Sequence, residues 1–137
     1  MGKDVRSTAE TRWQVGVSRT VPHALGDAWD FLVGRDGVQI WLGPGTELPR
    51  EGGVSYETAN GTTGQVDRFT PGEAVRLTWR PKDWEHDSTV QLTVSASGQK
   101  TTVKFEQDSL ADADERAEQR AYWTDVIEHL AAALAER

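Results

Sequence analysis

The chain has 137 residues, a length that suits one domain with its own apolar core and requires neither disulfides nor a structural metal. It contains no cysteine, which excludes thiol catalysis and thiolate metal sites, and its net charge of −7 opposes binding to the phosphate backbone of nucleic acids. No apolar run is long enough for a signal peptide or a membrane span, so we expect a cytoplasmic protein that binds no nucleic acid.

The N-terminal part of the chain carries one strand signal. Residues 1–10 are mostly polar or charged, and we expect them to form a flexible segment ahead of a single domain at residues 11–137. Trp13, Val15 and Val17 alternate with small or polar neighbours, which is the period of two that a strand with one buried face shows. The first strand is therefore predicted here.

Two short helices are predicted after the first strand. Proline lacks an amide proton, so Thr20-Val21-Pro22 should break the strand ladder. Apolar residues then recur at helical spacing over residues 25–32, and Gly34 suits the position just past this helix. Asp36 can cap a second, shorter helix that carries Trp41.

Five further strand signals follow a loop. Glycine and proline exclude regular structure from residues 43–53, and this loop could serve as a lid. The strand signals cover residues 54–58, 63–69, 74–80, 88–95 and 101–107. Asn60-Gly61, Pro71-Gly72 and Ser97-Gly98 mark tight turns and residues 81–87 form a longer loop, so an antiparallel meander is the simplest topology.

The last predicted element is a long helix. Asp112 and Glu115 have the spacing of a capping box, and no glycine or proline interrupts the chain from there to about Ala135. Its apolar stripe consists of Trp123, Val126, Ile127, Leu130 and Leu134. A stripe of this width needs a large flat partner, and the sheet is the one available.

Tryptophan is abundant, with six in the chain. Those at positions predicted to be buried are Trp13, Trp29, Trp41, Trp79 and Trp123. Large aromatic rings suit a packed core and a ligand-binding wall equally, so both interpretations stay open. Trp84 differs because it lies in the polar loop at residues 81–87, where it either covers a cavity mouth or folds back on the sheet.

Two glutamines are candidate polar groups in this interior. Gln107 shares a strand face with Phe105, so it would be a polar group in an apolar wall. Gln119 precedes Trp123 by one helical turn, which makes the inward stripe polar toward the start of the helix. The pattern indicates an apolar floor with a polar mouth, or else a stripe that leaves the sheet edge and meets water.

The sequence holds no catalytic signature. His23, His86 and His129 are widely separated and lack the helical pairing or clustered carboxylates of a metal site, so we expect no metal. No serine lies in a nucleophile-elbow pattern. His86 with Glu85 and Asp87 either forms an acid and base group at the cavity rim or is solvated. Whether the protein is an enzyme stays open.

The element order and several short sequences resemble those of a known superfamily. The matching sequences lie at residues 21–22, 28–32, 41, 64–67, 71 and 75–79, and in the apolar stripe of the last helix. Together they resemble the START-like (SRPBCC, Bet v 1-like) superfamily, and within it the Aha1-type family of activator of Hsp90 ATPase homologues. The resemblance implies an α+β helix-grip fold. In this fold a curved antiparallel six-stranded sheet wraps on a long C-terminal helix, with two short helices after strand 1.

The resemblance implies a set of functions. Relatives bind hydrophobic small molecules, cyclise polyketides, sequester reactive natural products or stimulate the Hsp90 ATPase. We expect a monomer or weak homodimer, without a cofactor, that binds a lipid-like, aromatic or polyketide-like molecule between the sheet and the last helix. The alternatives are a protein-interaction module of the Hsp90 co-chaperone type, with a role in stress response, and a polyketide cyclase-like enzyme. The residues expected to line the cavity are Trp41, Tyr56, Trp79, Trp84, Phe105, Gln107, Gln119 and Trp123.

Overall fold

The computed structural model describes residues 13–136, and within this range an antiparallel sheet of six strands forms the frame. The flexible segment predicted at residues 1–10 lies outside the described residues. The strands are β1 (Val15–Val21), β2 (Ser55–Glu57), β3 (Thr63–Thr70), β4 (Ala74–Trp79), β5 (Ser88–Ser97) and β6 (Lys100–Asp108). Their spatial order is β1-β6-β5-β4-β3-β2, so the predicted antiparallel meander is confirmed.

Helices cover one face of this sheet. In the described range they are α1 (Leu25–Val33), α2 (Arg35–Trp41) and α3 (Ala113–Ala135). The predicted stripe of α3 is buried, and it joins the inward side chains of β4, β5 and β6 in one apolar core. The α+β helix-grip fold expected from the sequence is therefore confirmed. No helix within residues 13–136 is long and apolar enough to cross a membrane.

The start of α3 follows the predicted capping pattern. The Glu115 amide donates to Asp112 Oδ1 at 2.8 Å, which satisfies a backbone donor that has no partner within the helix. The reciprocal bond differs in one detail, because Glu115 Oε1 accepts from the Ala111 amide at 3.0 Å instead of from the amide of Asp112. The cap fixes where α3 begins and holds Glu115 close to the helix start.

The junction of α1 and α2 corrects the predicted role of Asp36. Gly34 ends α1 and is also the residue that precedes the first turn of α2, so no separate linker exists. Asp36 consequently lies inside the first turn of α2 and is not its cap. A Cβ atom on Gly34 would lie 2.7 Å from the Asp30 carbonyl oxygen, so this tight junction requires glycine.

Several predicted boundaries shift in the structure. β1 continues through Val21, which pairs with Thr101, because the ladder ends only where Pro22 removes the amide proton. β2 is shorter than predicted and covers only Ser55–Glu57. The loop at residues 43–53 is irregular as predicted, and the Gly53 amide donates to the Val66 carbonyl at 2.7 Å. Its role as a lid stays a prediction.

Candidate functional site

Most of the predicted site residues form one aromatic cluster between the sheet and α3. Its members are Trp41, Trp79, Trp84, Phe105, Tyr122 and Trp123, joined by ring contacts. At its centre the rings of Phe105 and Trp123 stack with centroids 4.9 Å apart, while Trp41 lies 5.6 Å from Phe105 and Trp79 lies 5.8 Å from Trp123. The sheet and α3 thus meet through aromatic rings in offset or tilted contacts.

Gln107 lies in the wall of this cluster, fully buried as predicted. Its Oε1 accepts from Trp123 Nε1 at 2.7 Å, and its Nε2 donates to Ser88 Oγ at 2.9 Å. Ser88 Oγ in turn donates to the Trp79 carbonyl at 2.6 Å. The amide of Gln107 is therefore engaged on both sides by protein groups, and it fixes the ring of Trp123 against the sheet.

The hydroxyl groups of Tyr122 and Tyr56 are hydrogen-bond donors at neutral pH. Tyr122 donates to the Trp41 carbonyl at 2.9 Å, and Tyr56 donates to the Thr78 carbonyl at 2.6 Å. Burial raises the pKa of Tyr122 to about 12. Burial also raises the pKa of Tyr56, and repulsion from the Tyr122 phenolate that forms at high pH adds to this increase. Both therefore stay protonated and anchor loops and strands around the cluster.

Trp84 lies at the outer end of the cluster. Of the two positions considered from the sequence, the structure has Trp84 folded back on the sheet, with its ring centroid 5.8 Å from that of Trp79 in an edge-on contact. It is only partly buried. Its ring also stacks on His86 with centroids 4.8 Å apart. Trp84 thus stands between the buried rings and the solvent.

His86 connects the loop at residues 81–87 to α3 through a contact with Glu115. His86 Nε2 lies 2.9 Å from Glu115 Oε1, and its Nδ1 lies 3.0 Å from the Asp87 carbonyl oxygen. Partial burial opposes the charged form of His86, but the hydrogen bonds to Glu115 and to Asp87, with the charge of Glu115, outweigh it and raise the pKa. The charged partner of His86 is thus Glu115 on α3, whereas the sequence grouped His86 with Glu85 and Asp87.

Two buried polar atoms have no hydrogen-bond partner among residues 13–136. They are Trp79 Nε1 and Gln119 Oε1, on side chains whose residues are 4% and 9% exposed. The first is a donor and the second is an acceptor. A buried polar group without a partner costs about 1–3 kcal/mol, so each of these two atoms requires an explanation, such as an ordered water or a bound molecule. We call these two atoms the unpartnered pair.

The members of the unpartnered pair belong to the same region. Gln119 lies one turn after Glu115 and one turn before Trp123, on the side of α3 that faces the cluster. Glu115 contacts the loop that carries Trp84, and Trp123 contacts Trp79. Because Trp84 also contacts Trp79, the contacts on both sides of Gln119 along α3 lead to the same two tryptophans. The polar mouth predicted at the start of the stripe is therefore buried and does not leave the sheet edge.

Three contributors were not among the residues expected to line the cavity. Tyr122 lies outside the apolar stripe of α3, and its position next to Trp123 in the sequence was the one sign of their ring contact. Ser88 begins the buried alternation of β5 at residues 88, 90, 92 and 94, so period two could have identified it. The contact of His86 with Glu115 spans 29 residues and leaves no local signal.

A cleft of about 750 Å³ lies elsewhere on the molecule. It is lined by the α1–α2 junction and by residues 45–50 of the irregular loop, and none of the predicted site residues line it. The predicted residues instead pack against one another, so aromatic side chains occupy much of the space between the sheet and α3. Neither residue of the unpartnered pair lines the surface cleft, so the cluster is the candidate site.

Comparison with known proteins agrees with this architecture. DynU16, a protein of the dynemicin biosynthetic locus, has a TM-score of 0.78 and 21% identity over 90% of this chain and 47% of its own. The chain thus spans about half the length of DynU16. Aha1 from Colwellia psychrerythraea, solved as a dimer, has a TM-score of 0.73 and 15% identity over 88% of this chain and 95% of its own.

A third similar structure is PFC0360w, an HSP90 activator from Plasmodium falciparum. It has a TM-score of 0.76 and 13% identity, and the match covers 90% of this chain and 96% of that protein. At these identities the likeness shows the fold. No curated protein matches the sequence. The family model described as "Activator of Hsp90 ATPase homolog 1-like protein" matches residues 11–135, nearly the whole chain, and the chain therefore belongs to this family.

Proposed function

We propose that the protein is a cytoplasmic binding protein for a hydrophobic small molecule, which is lipid-like, aromatic or polyketide-like and lies between the sheet and α3. The observation that carries this proposal is the unpartnered pair: Trp79 Nε1 in the aromatic cluster, and Gln119 Oε1 on α3 one helical turn before Trp123. A core that served only stability would gain about 1–3 kcal/mol per atom by pairing or replacing such groups. A bound molecule with a polar end recovers that loss when it fills the site.

The binding site would use the cluster as its walls. Trp123 and Phe105 are almost fully buried, and Gln107 holds Trp123 in place, so these side chains form a fixed floor. Trp84 is the partly buried member, held from a loop by ring contacts and by the Arg80 Nε bond of 2.9 Å to its carbonyl. Movement of this loop disturbs fewer buried contacts than movement of α3, so the molecule enters beside Trp84.

Likeness to known proteins supports two of the three functions considered. DynU16 comes from a biosynthetic locus for a natural product, which favours a polyketide-like ligand. PFC0360w is an HSP90 activator, which favours the alternative of a protein-interaction module. Among residues 13–136, however, Val54 is the one large apolar residue that is exposed, at 40%, and the other large apolar side chains are at least partly buried. The small molecule is therefore our first choice.

A thermal-shift experiment tests the proposal with four probes: 2-naphthol, 1-decanol, decanoic acid and the flavonoid quercetin. A probe at about 100 times its Kd adds about 2.7 kcal/mol to the free energy of unfolding, which raises Tm by several degrees for a domain of this size. We expect at least one probe to raise Tm and to shift the indole N–H resonances of Trp79 and Trp123 in nitrogen-15 spectra. If all four leave Tm and those resonances unchanged, the proposal is wrong.

A further inference from the structure

The two atoms of the unpartnered pair restrict the chemistry of the molecule that fills the site. Trp79 Nε1–H can only donate, so it needs an acceptor, and Gln119 Oε1 can only accept, so it needs a donor. We infer that the bound molecule carries an uncharged hydroxyl group that accepts from Trp79 Nε1 and donates to Gln119 Oε1. This inference rests on the proposed function and specifies the ligand of that same site.

A ketone, an ether, an ammonium group and a carboxylate each satisfy at most one of the two atoms. A ketone or an ether accepts from Trp79 but leaves Gln119 Oε1 without a donor. An ammonium group donates to Gln119 but leaves the indole N–H of Trp79 without an acceptor. A carboxylate brings acceptors only, and its negative charge would lie about one helical turn from Glu115 in a protein whose net charge is −7.

A hydroxyl also adds the fewest new polar atoms to the cluster. It donates once and accepts through the same oxygen, whereas a carboxamide buries two donor hydrogens and a separate carbonyl oxygen that each require a partner. The rings of Trp79, Trp84 and Trp123 offer flat apolar surfaces around this position. A phenol or an alcohol on a flat hydrophobic body fits these features together.

Three naphthalene probes separate the two hydrogen bonds. 2-Naphthol can donate and accept, 2-methoxynaphthalene can only accept, and 2-ethylnaphthalene has the shape of the ether without a polar atom. We expect 2-naphthol to bind about tenfold more tightly than the ether, and the ether to bind several-fold more tightly than 2-ethylnaphthalene, by isothermal titration calorimetry. The Trp79 indole N–H resonance should move with the first two probes only.

Two variants assign each preference to its residue. In Gln119→Leu the preference for the hydroxyl over the ether should disappear, because both probes then keep only the bond from Trp79. In Trp79→Phe the preference for the ether over 2-ethylnaphthalene should disappear, while the hydroxyl preference through Gln119 remains. Gln65→Leu, on the exposed face of β3, is the matched control and should keep both preferences.

The outcomes distinguish failure of the inference from failure of the proposed function. If the three probes bind the wild-type protein with equal affinity, the protein binds hydrophobic molecules and the hydroxyl inference is wrong. The inference is also overturned if Gln119→Leu keeps the full preference for 2-naphthol over the ether, even should Trp79→Phe fail to fold. If none of the three probes binds, the proposed function itself is contradicted.

Discussion

Trp123 Nε1 donates a hydrogen bond of 2.7 Å to Gln107 Oε1, and this bond joins α3 to β6 inside the apolar interior. Gln107 Nε2 donates to Ser88 Oγ, and this second bond links the same network to β5. The bond orients the indole of Trp123 for its stack on Phe105. Gln107 is thus an organiser of the site, and Gln119 is the glutamine left with an unused acceptor.

Replacement of Gln107 by Leu should destabilise the protein. The substitution leaves the buried N–H of Trp123 without an acceptor, and such a loss lowers the free energy of unfolding by about 1–3 kcal/mol. Urea denaturation followed by tryptophan fluorescence measures the change. Gln65→Leu, an exposed site, should stay within about 0.5 kcal/mol of the wild type, and equal midpoints for both variants would contradict the proposed role of Gln107.

Replacement of Gln119 by Leu, in contrast, should have little effect on stability or increase it. Its Oε1 has no partner among the described residues, so its removal relieves a buried unpaired acceptor. We expect the free energy of unfolding to stay within about 1 kcal/mol of the wild type or to rise. The same urea experiment measures it. A loss comparable to that of Gln107→Leu would mean that Gln119 serves the fold and not a ligand.

Periodicity predicted the parts of the fold that depend on local pattern. The burial of Gln107 followed from alternation with Phe105, and the burial of Gln119 followed from its spacing to Trp123. The hydrogen bonds of Gln107 did not follow, because its partners lie on α3 and β5, and local sequence fixes neither helix packing nor strand register. The burial of Ser88 could be predicted from period two, but its bond to Gln107 could not.

The prediction for Asp36 was wrong for a local reason. An N-cap lies outside its helix, and Asp36 would stand there only if a linker separated the two helices. The structure uses Gly34 as the end of α1 and the start of α2, which moves Asp36 into the first turn. The presence of a helix is easier to predict from sequence than its first residue, because helix boundaries and caps depend on the geometry of a few backbone atoms.

Replacement of Leu130 by Asp should prevent folding. Leu130 is 2% exposed in the middle of the α3 stripe, and a carboxylate there is buried without a partner at a cost of several kcal/mol. We expect circular dichroism and size-exclusion chromatography to show an unfolded or aggregated product. Ala132→Asp, on the exposed side of α3, is the control and should fold with a nearly unchanged Tm. A soluble Leu130→Asp protein with wild-type melting would mean that α3 does not pack on the sheet.

The contact of His86 with Glu115 should make stability depend on pH. Partial burial lowers the pKa of His86, but the bonds to Glu115 and the Asp87 carbonyl outweigh burial and the charge of Arg80, and raise that pKa above its ordinary value of 6.5. Because the folded pKa is the higher one, the stabilisation is complete below about pH 6.5 and is lost as pH rises through the folded pKa. The loss should also weaken the stack of His86 on Trp84, the outer wall of the cluster.

Denaturation midpoints at pH 6 and pH 8 measure this effect. The His86 side chain is 32% exposed, so its contribution to stability is small. Between pH 6 and pH 8 we expect the free energy of unfolding of the wild type to fall by at most about 1 kcal/mol more than that of His86→Gln. Glu115→Gln removes the charge that holds the proton and should flatten the profile in the same way. His129→Gln deletes a histidine on the exposed side of α3 and leaves the Glu115 contact intact, so it should keep the wild-type profile. If His86→Gln loses as much stability as the wild type between the two pH values, protonation of His86 does not hold the Trp84 loop against α3.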